Sequence, residues 1–234
     1  MDLLLMQRRR YFAKVLSTRP TAYWPLSETS GAVANDISGN GYHGAYTGVD
    51  LAQPGIGDGR TAPYFDGAND YTNVYSAGLA AAFNGAEGTL LVWARVADAG
   101  VWTDGASRYM MNLYVNASNR IHIVKSSSNN LVAMLYRANG TSQQHSFSAF
   151  TLSWLALALT WSAADDEVCG YANGVAAGVP LSGLGAWAGV LSASTTVIGA
   201  YSTTPTGVYL GWLGHAALWN RALTPTEVAE VSRL

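Results

Sequence analysis

What most limits the folds open to this chain is a succession of short alternating apolar runs, about ten residues apart and separated by turn signals. In "TLLVWARV" (89–96) Leu90, Val92, Ala94 and Val96 share one face, the period of two that a half-buried strand requires. "RYMMNLYV" (108–115) and "RIHIVKS" (120–126) flank the polar turn "NASN". "NLVAMLYRANG" and "QQHSFSAFTLS" meet near Asn139-Gly140, and "DEVCGYANG" (166–174) runs into "VAAGVPL" (175–181) through Asn173-Gly174. Asn-Gly between two apolar runs signals a type I′ hairpin, because both residues tolerate the positive φ that turn needs. "SWLALALTWS" (153–162), "TTVIGAYS" (195–202) and "VYLGWLGHAALWN" (208–220) complete the set. The expected fold is all-β, an antiparallel two-sheet sandwich or jelly roll rather than a parallel α/β sheet.

The two ends depart from this pattern. Thr224 is a candidate N-cap, Pro225 fits the first helical position, and Glu227 completes a capping box, so a short helix is expected over 224–233. "MDLLLMQRRRYFAKVL" predicts another near residues 5–16. Its apolar run precedes its arginines, the reverse of an export signal, and no stretch reaches transmembrane length. Residues 1–20 therefore read as an N-terminal arm or short helix, and 21–234 as one domain. Leu3, Leu4, Leu5 and Met6, with Arg8, Arg9 and Arg10, suit an arm that docks on a neighbouring subunit.

Charged residues make up 12% of the chain and the net charge is −2, which excludes the basic excess of a nucleic-acid binder. Cys169 is the only cysteine, so no internal disulfide forms, and its alternation with Val168 and Gly170 reads as a buried strand thiol. Trp93, Trp154, Trp161 and Trp219 fall within strands and are expected in the core, whereas Trp102, Tyr109, Trp187 and Tyr201 fall in or beside loops.

Four stretches in order resemble the concanavalin A-like, laminin-G-type jelly-roll domains: "AYWPLSETSGAVANDISGNGYHGAYTG" (22–48), "YFDGANDYTNV" (64–74), "LALTWSAADDEVCGYANGVAAG" (157–178) and "GHAALWNRALTPTEVAEV". The resemblance implies that Asn220-Arg221 turns the last strand into the closing helix. It also raises a calcium site at Asp36, with Asp66 and Asp70 close by. An acidic pair often present in that family's last strand is replaced here by Gly214-His215, which favours Asp36 bonding loop amides instead. Glycan binding is the commonest function of the family, and Trp102, Tyr109, Trp187 and Tyr201 are the candidate stacking rings, set against packing in the core or at a subunit interface.

An enzyme is not expected, and no catalytic residue is assigned. Glycosidases of this fold need two opposed carboxylates, and the densest acidic cluster, Asp165-Asp166-Glu167, sits in a turn. The opening "YFAKVLSTRPTAYWPLSETSG" is similar to the start of such domains in phage structural proteins. The leading expectation is a non-catalytic virion accessory protein, on capsid or tail, with other virion proteins, further copies of itself and cell-surface polysaccharide as partners. A secreted bacterial carbohydrate-binding module, extracellular, is the alternative, and a glycoside hydrolase comes third.

Overall fold

A computed structural model describes residues 11–234. Its strands are β1 (Ala22–Trp24), β2 (Val33–Ala34), β3 (Gly44–Thr47), β4 (Asp50–Pro54), β5 (Thr61–Asp66), β6 (Tyr71–Asn73), β7 (Glu87–Val96) and β8 (Arg108–Asn116). There follow β9 (Asn119–Lys125), β10 (Leu131–Ala138), β11 (Thr141–Ser148), β12 (Leu155–Ser162), β13 (Glu167–Ala172), β14 (Val175–Ala176), β15 (Thr196–Ile198) and β16 (Leu210–Trp219). Helix α1 runs through residues 11–17, α2 is Ala77–Ala82 and α3 is Pro225–Val231. The first sheet has the order β14-β13-β12-β7-β16-β5-β4, with β1 also on β16; the second is β11-β10-β9-β8-β15-β6-β3-β2. The pairs are antiparallel, so the expected two-sheet sandwich is what the chain forms.

Alternation decides the layers. Leu90, Val92, Ala94 and Val96 of β7 face inward and join Met111, Leu113, Ile121, Ile123 and Tyr136 of the second sheet in the main core. Each large side chain so buried contributes about 1.5–3 kcal/mol before ordering costs. The odd-numbered Leu91 and Trp93 face outward, yet they are buried in a second cluster with Ala156, Tyr171, Ala217 and Trp219. Tyr11 and Val15 of α1 and Val228 and Val231 of α3 close that cluster. The outer face of the first sheet is therefore sealed there by the two terminal helices. Cys169 is buried in the same cluster.

The closing corner matches expectation. Asn220 donates from Nδ2 to Ala82 O at 2.7 Å and accepts from Asn84 N at 3.0 Å. Arg221 holds Glu227 with two hydrogen bonds and reaches Thr18 O. Thr224 and Glu227 form the capping box of α3. The two hairpin pairs, Asn139-Gly140 and Asn173-Gly174, adopt positive φ at each residue, as type I′ turns require.

Three features differ from the sequence reading. The run 175–181 contributes only the two-residue edge strand β14, consistent with Gly178 and Pro180 interrupting it. Helix α2 was not expected; Ser76 caps an Ala-rich turn too short to show a period. Trp154 lies half-buried under Arg95, whose guanidinium is 5.7 Å from its ring, rather than in the sandwich core. Leu3, Leu4, Leu5, Met6, Arg8, Arg9 and Arg10 lie outside the described residues. Among the described residues no helix is long and apolar enough to cross a membrane.

Candidate functional site

A groove of about 680 Å³ opens on the second sheet, lined by residues that include Arg108, Tyr109, Arg120, His122, Tyr201 and Gly207. A β-bulge builds its wall. Tyr109 pairs with Val124 and Met111 with Ile123, so Met110 is the extra residue of β8. Met110 and Met111 are both buried, while Tyr109 is turned to the outer face, the re-aiming a bulge produces. Tyr109 N donates to Gly207 O at 2.8 Å. A Cβ at Gly207 would come 2.8 Å from the Tyr109 ring, and its φ is +57°, so glycine alone lets the loop lie on that ring.

The loop after β15 brings in the second tyrosine. Asn112 Nδ2 donates to Tyr201 O at 2.7 Å, and Tyr201 N donates to Thr206 O at 2.9 Å. Tyr201 stands edge-on to Tyr109 and Tyr114, with centroids 5.2 and 5.4 Å apart, and Tyr109 stands edge-on to His122 at 5.2 Å. Burial, and then the Tyr114 hydroxyl, push the Tyr201 phenol up to about 12. Burial and then the positive charge of Arg120 push His122 down to about 4. Both groups are neutral at physiological pH. Beneath them Lys125 is fully buried, with its ammonium 2.5 Å from Asp104, which also holds Arg108 at 2.6 Å. Burial opposes ionisation of Asp104, but Lys125, the Ala106 amide and Arg108 hold it below the ordinary carboxylate range.

Of the four ring candidates, Tyr109 and Tyr201 come together here. Trp102 does not join them: it is buried in the sandwich, with its indole N–H on Thr151 O at 3.0 Å. Trp187 packs edge-on to Phe83 at 5.5 Å and lies 6.2 Å from Tyr136, over one end of the core. Arg120 and His122 are groove residues that reading the sequence for loop aromatics missed, because they sit mid-strand on the outward phase of the alternation, and Tyr114 backs the groove through Tyr201.

The carboxylates proposed for calcium do not fit a metal. Asp36 Oδ1 accepts from Tyr23 N and Ser38 N, and Oδ2 accepts from Ser38 Oγ and Tyr42 N, all at 2.8–2.9 Å. Those four bonds occupy the lone-pair sites of one carboxylate. Asp66 accepts from Ala68 N, and Asp70 accepts from Asp66 N. Among the described residues no three His, Cys, Asp or Glu side chains are grouped to hold a metal.

A second titratable cluster lies under α1. Tyr23 Oη is 2.7 Å from His215 Nδ1, and His215 Nε2 is 3.2 Å from Asp58 Oδ2. Burial holds His215 below its ordinary range against the pull of Asp58. The rings of Tyr11 and Phe12 close over it at 4.7 and 5.5 Å. Among the described residues the cluster is buried, with Tyr23, Asp58 and His215 each under 9% exposed.

A family profile described as "Concanavalin A-like lectin/glucanases superfamily" matches residues 66–229. No curated protein sequence matches the chain. Among solved structures, the botulinum neurotoxin serotype D binding domain aligns with a TM-score of 0.65 at 11% identity, over 92% of this chain and 51% of its own. The chain thus spans about half the length of that domain. Domain 4 of AbnA, a GH43 extracellular arabinanase from Geobacillus stearothermophilus, solved with arabinotriose, aligns at 0.64 and 14% identity over 92% and 98%. Trypanosoma rangeli sialidase, solved with the inhibitor DANA, aligns at 0.61 and 12% identity over 96% and 37%. At these identities the structural likeness concerns the fold. The profile match, covering most of the chain in the order its strands follow, establishes that the chain belongs to the concanavalin A-like lectin/glucanase superfamily.

Proposed function

We propose that this chain is a non-catalytic, lectin-like accessory protein of a phage virion, on capsid or tail, that binds a cell-surface carbohydrate in the Tyr109–Tyr201 groove. The observation that carries the binding reading is a groove of ligand size walled by tyrosines, with no carboxylate among its lining residues. Tyrosines offer apolar faces to sugar C–H groups and hydroxyls to sugar oxygens. A glycosidase needs two carboxylates across the scissile bond, and this groove offers none. The virion setting is supported by the opening "YFAKVLSTRPTAYWPLSETSG" and its similarity to phage structural proteins. In that setting Leu3–Met6 and Arg8–Arg10 dock the domain on a virion partner or on further copies. The alternative of a secreted module keeps the same groove and changes only the location.

Titration against an oligosaccharide panel tests the binding reading. Tyr201→Ala is expected to weaken the best ligand about tenfold or more, the scale of losing one well-placed ring contact, with the thermal midpoint retained. Full affinity in that variant overturns the groove assignment. Peptide mass spectrometry of purified virions tests the setting, and absence of the chain from them favours the secreted alternative.

A further inference from the structure

The register of the second sheet sets Arg137 of β10 directly opposite Arg120 of β9, and Arg120 opposite Tyr114 of β8. On its other side Arg137 faces Ser142 of β11. Like charges directly opposed across a ladder destabilise a sheet, and a carboxylate in the same row would relieve them. This row has none. Among the described residues neither guanidinium forms an ion pair, and the Nε of each is buried without a hydrogen-bond partner. His122, two residues along on the same face of β9, is 8% exposed, lines the groove and has an equally unpartnered Nδ1. The nearby Asp104 offers no relief, since Lys125 and Arg108 already hold it. Buried polar atoms without partners are rare in folded proteins and ask for a cause.

We propose that the groove takes an acidic sugar, a uronate or sialate whose carboxylate is gripped by Arg120 and Arg137 while its ring lies against Tyr109 and Tyr201. This rests on the carbohydrate reading above and names its ligand class. Opposed residues on an antiparallel ladder have Cα atoms about 4.5–5.5 Å apart, so two guanidiniums reach one carboxylate. Their planar forks match its geometry with charge-assisted bonds. Arg137 is not among the lining residues but is opposed to Arg120, which is, and this sets the carboxylate at the Arg120 side and the ring over the tyrosines. A general polyanion surface would need a broad basic excess; this chain has a net charge of −2 and a paired cationic spot.

The full chain is titrated by calorimetry with a hyaluronan tetrasaccharide, a galacturonate trimer and sialyllactose. Each is run beside a neutral counterpart: the carboxyl methyl ester for the first two, lactose for the third. Sulfated dextran is the polyanion control. At least one acid is expected to bind about tenfold or more tighter than its neutral counterpart, the gain of a charge-assisted pair over neutral contacts. Arg120→Gln and Arg137→Gln each bring that acid to the level its neutral counterpart shows in the same variant, with the thermal midpoint retained or raised as the opposed charges are relieved. Tyr201→Ala weakens acid and neutral sugars alike. Equal binding of acids and neutral counterparts, unmoved by either Gln variant, overturns the acidic-sugar inference and leaves the carbohydrate reading standing. Sulfated dextran binding as tightly as the best uronate or sialate overturns the carboxylate assignment. No binding by any member of the panel overturns both readings.

Discussion

The outer faces of the two sheets carry similar side chains and end in opposite states. On the first sheet, Tyr23, His215 and Asp58 are covered by Tyr11 and Phe12; Tyr23 Oη meets His215 Nδ1 at 2.7 Å, and His215 Nε2 faces Asp58 Oδ2 at 3.2 Å. Tyr11 itself donates to Val231 O at 2.6 Å and accepts from Trp93 Nε1 at 2.6 Å. On the second sheet, among the described residues, no helix covers β8–β10; Arg120 and His122, which line the groove, and Arg137, opposite Arg120, keep unpartnered atoms. Where helices seal a face, a buried polar group can be matched only from within the protein, and leaving one unmatched costs about 1–3 kcal/mol. Where the face stays open, a ligand can supply the match. The difference lies in what covers the residues, not in which residues the strands carry.

The sharpest way to break this comparison is to unseal the first face. Tyr11→Ala removes a fully buried ring and two hydrogen bonds that tie α1 to Trp93 and α3. The expected loss is about 3–5 kcal/mol, in the range for deleting a buried aromatic, read as a fall in the urea midpoint with sugar affinity in the folded protein unchanged. A loss well under this range means the terminal helices do not seal the face. Loss of sugar affinity in the folded variant means the two faces are not independent.

Acid separates the two histidines. His122 has a folded value near 4 against an ordinary 6.5, so below 6.5 the unfolded chain takes up a proton that the folded chain refuses. Its contribution is fully present above 6.5 and is lost as pH falls from 6.5 towards 4, by about 3 kcal/mol at most. His215 is shifted in the same direction by burial and adds to the same loss. Glu227, held near 2 by Arg221, contributes only at lower pH, from its ordinary 4.5 downward. Urea midpoints across this range should therefore begin to fall at 6.5, and His122→Gln should flatten the first part of the fall. At neutral pH that variant should cost little, since Nδ1 has no partner to lose. His215→Gln should cost more, because it removes the partner of the Tyr23 hydroxyl. A stability flat from neutral pH to the Glu227 range would refute the neutral assignment of both rings.

The closing corner gives a smaller effect at the edge of the sealed face. Asn220→Ala leaves Asn84 N and Ala82 O without their side-chain partner, and about 1–3 kcal/mol should be lost if those groups stay out of water. An unchanged thermal midpoint would make the corner an ordinary surface loop.

These contrasts also mark what could be read from the sequence. The period of two in 89–96, the Asn-Gly turns and the Thr224–Glu227 cap are local signals set by backbone sterics and short-range bonding, and each appears where expected. The groove depends on relations that are not local. That Arg120 and Arg137 are opposed follows from the register of β9 on β10, and "RIHIVKS" and "NLVAMLYRANG" do not state it. Tyr109 faces outward because Met110 is bulged. Trp102 and Trp187 share its place in or beside loops, but a place in a loop does not say which way a ring turns, and the two indoles turn onto the sandwich. His215 finds Asp58, far away in sequence, by tertiary packing.

The smallest expected effect concerns calcium. The resemblance to calcium-holding jelly rolls would make the Asp36 loop metal-dependent, so that chelator lowers the thermal midpoint by the mass-action loss of a ligand bound only to the folded state. The geometry argues the other way. Both Asp36 oxygens are saturated by Tyr23 N, Ser38 N, Ser38 Oγ and Tyr42 N. A cation that needs six to eight oxygens would have to displace those donors while gaining no second carboxylate, since Asp66 and Asp70 are engaged with their own turn. Melting curves in calcium and in chelator are therefore expected to coincide, and Asp36→Asn should lower both equally by setting an amide N–H against backbone donors. A midpoint that rises with calcium in the wild type and not in Asp36→Asn would overturn this, and would mean the loop opens to trade its amide bonds for a metal.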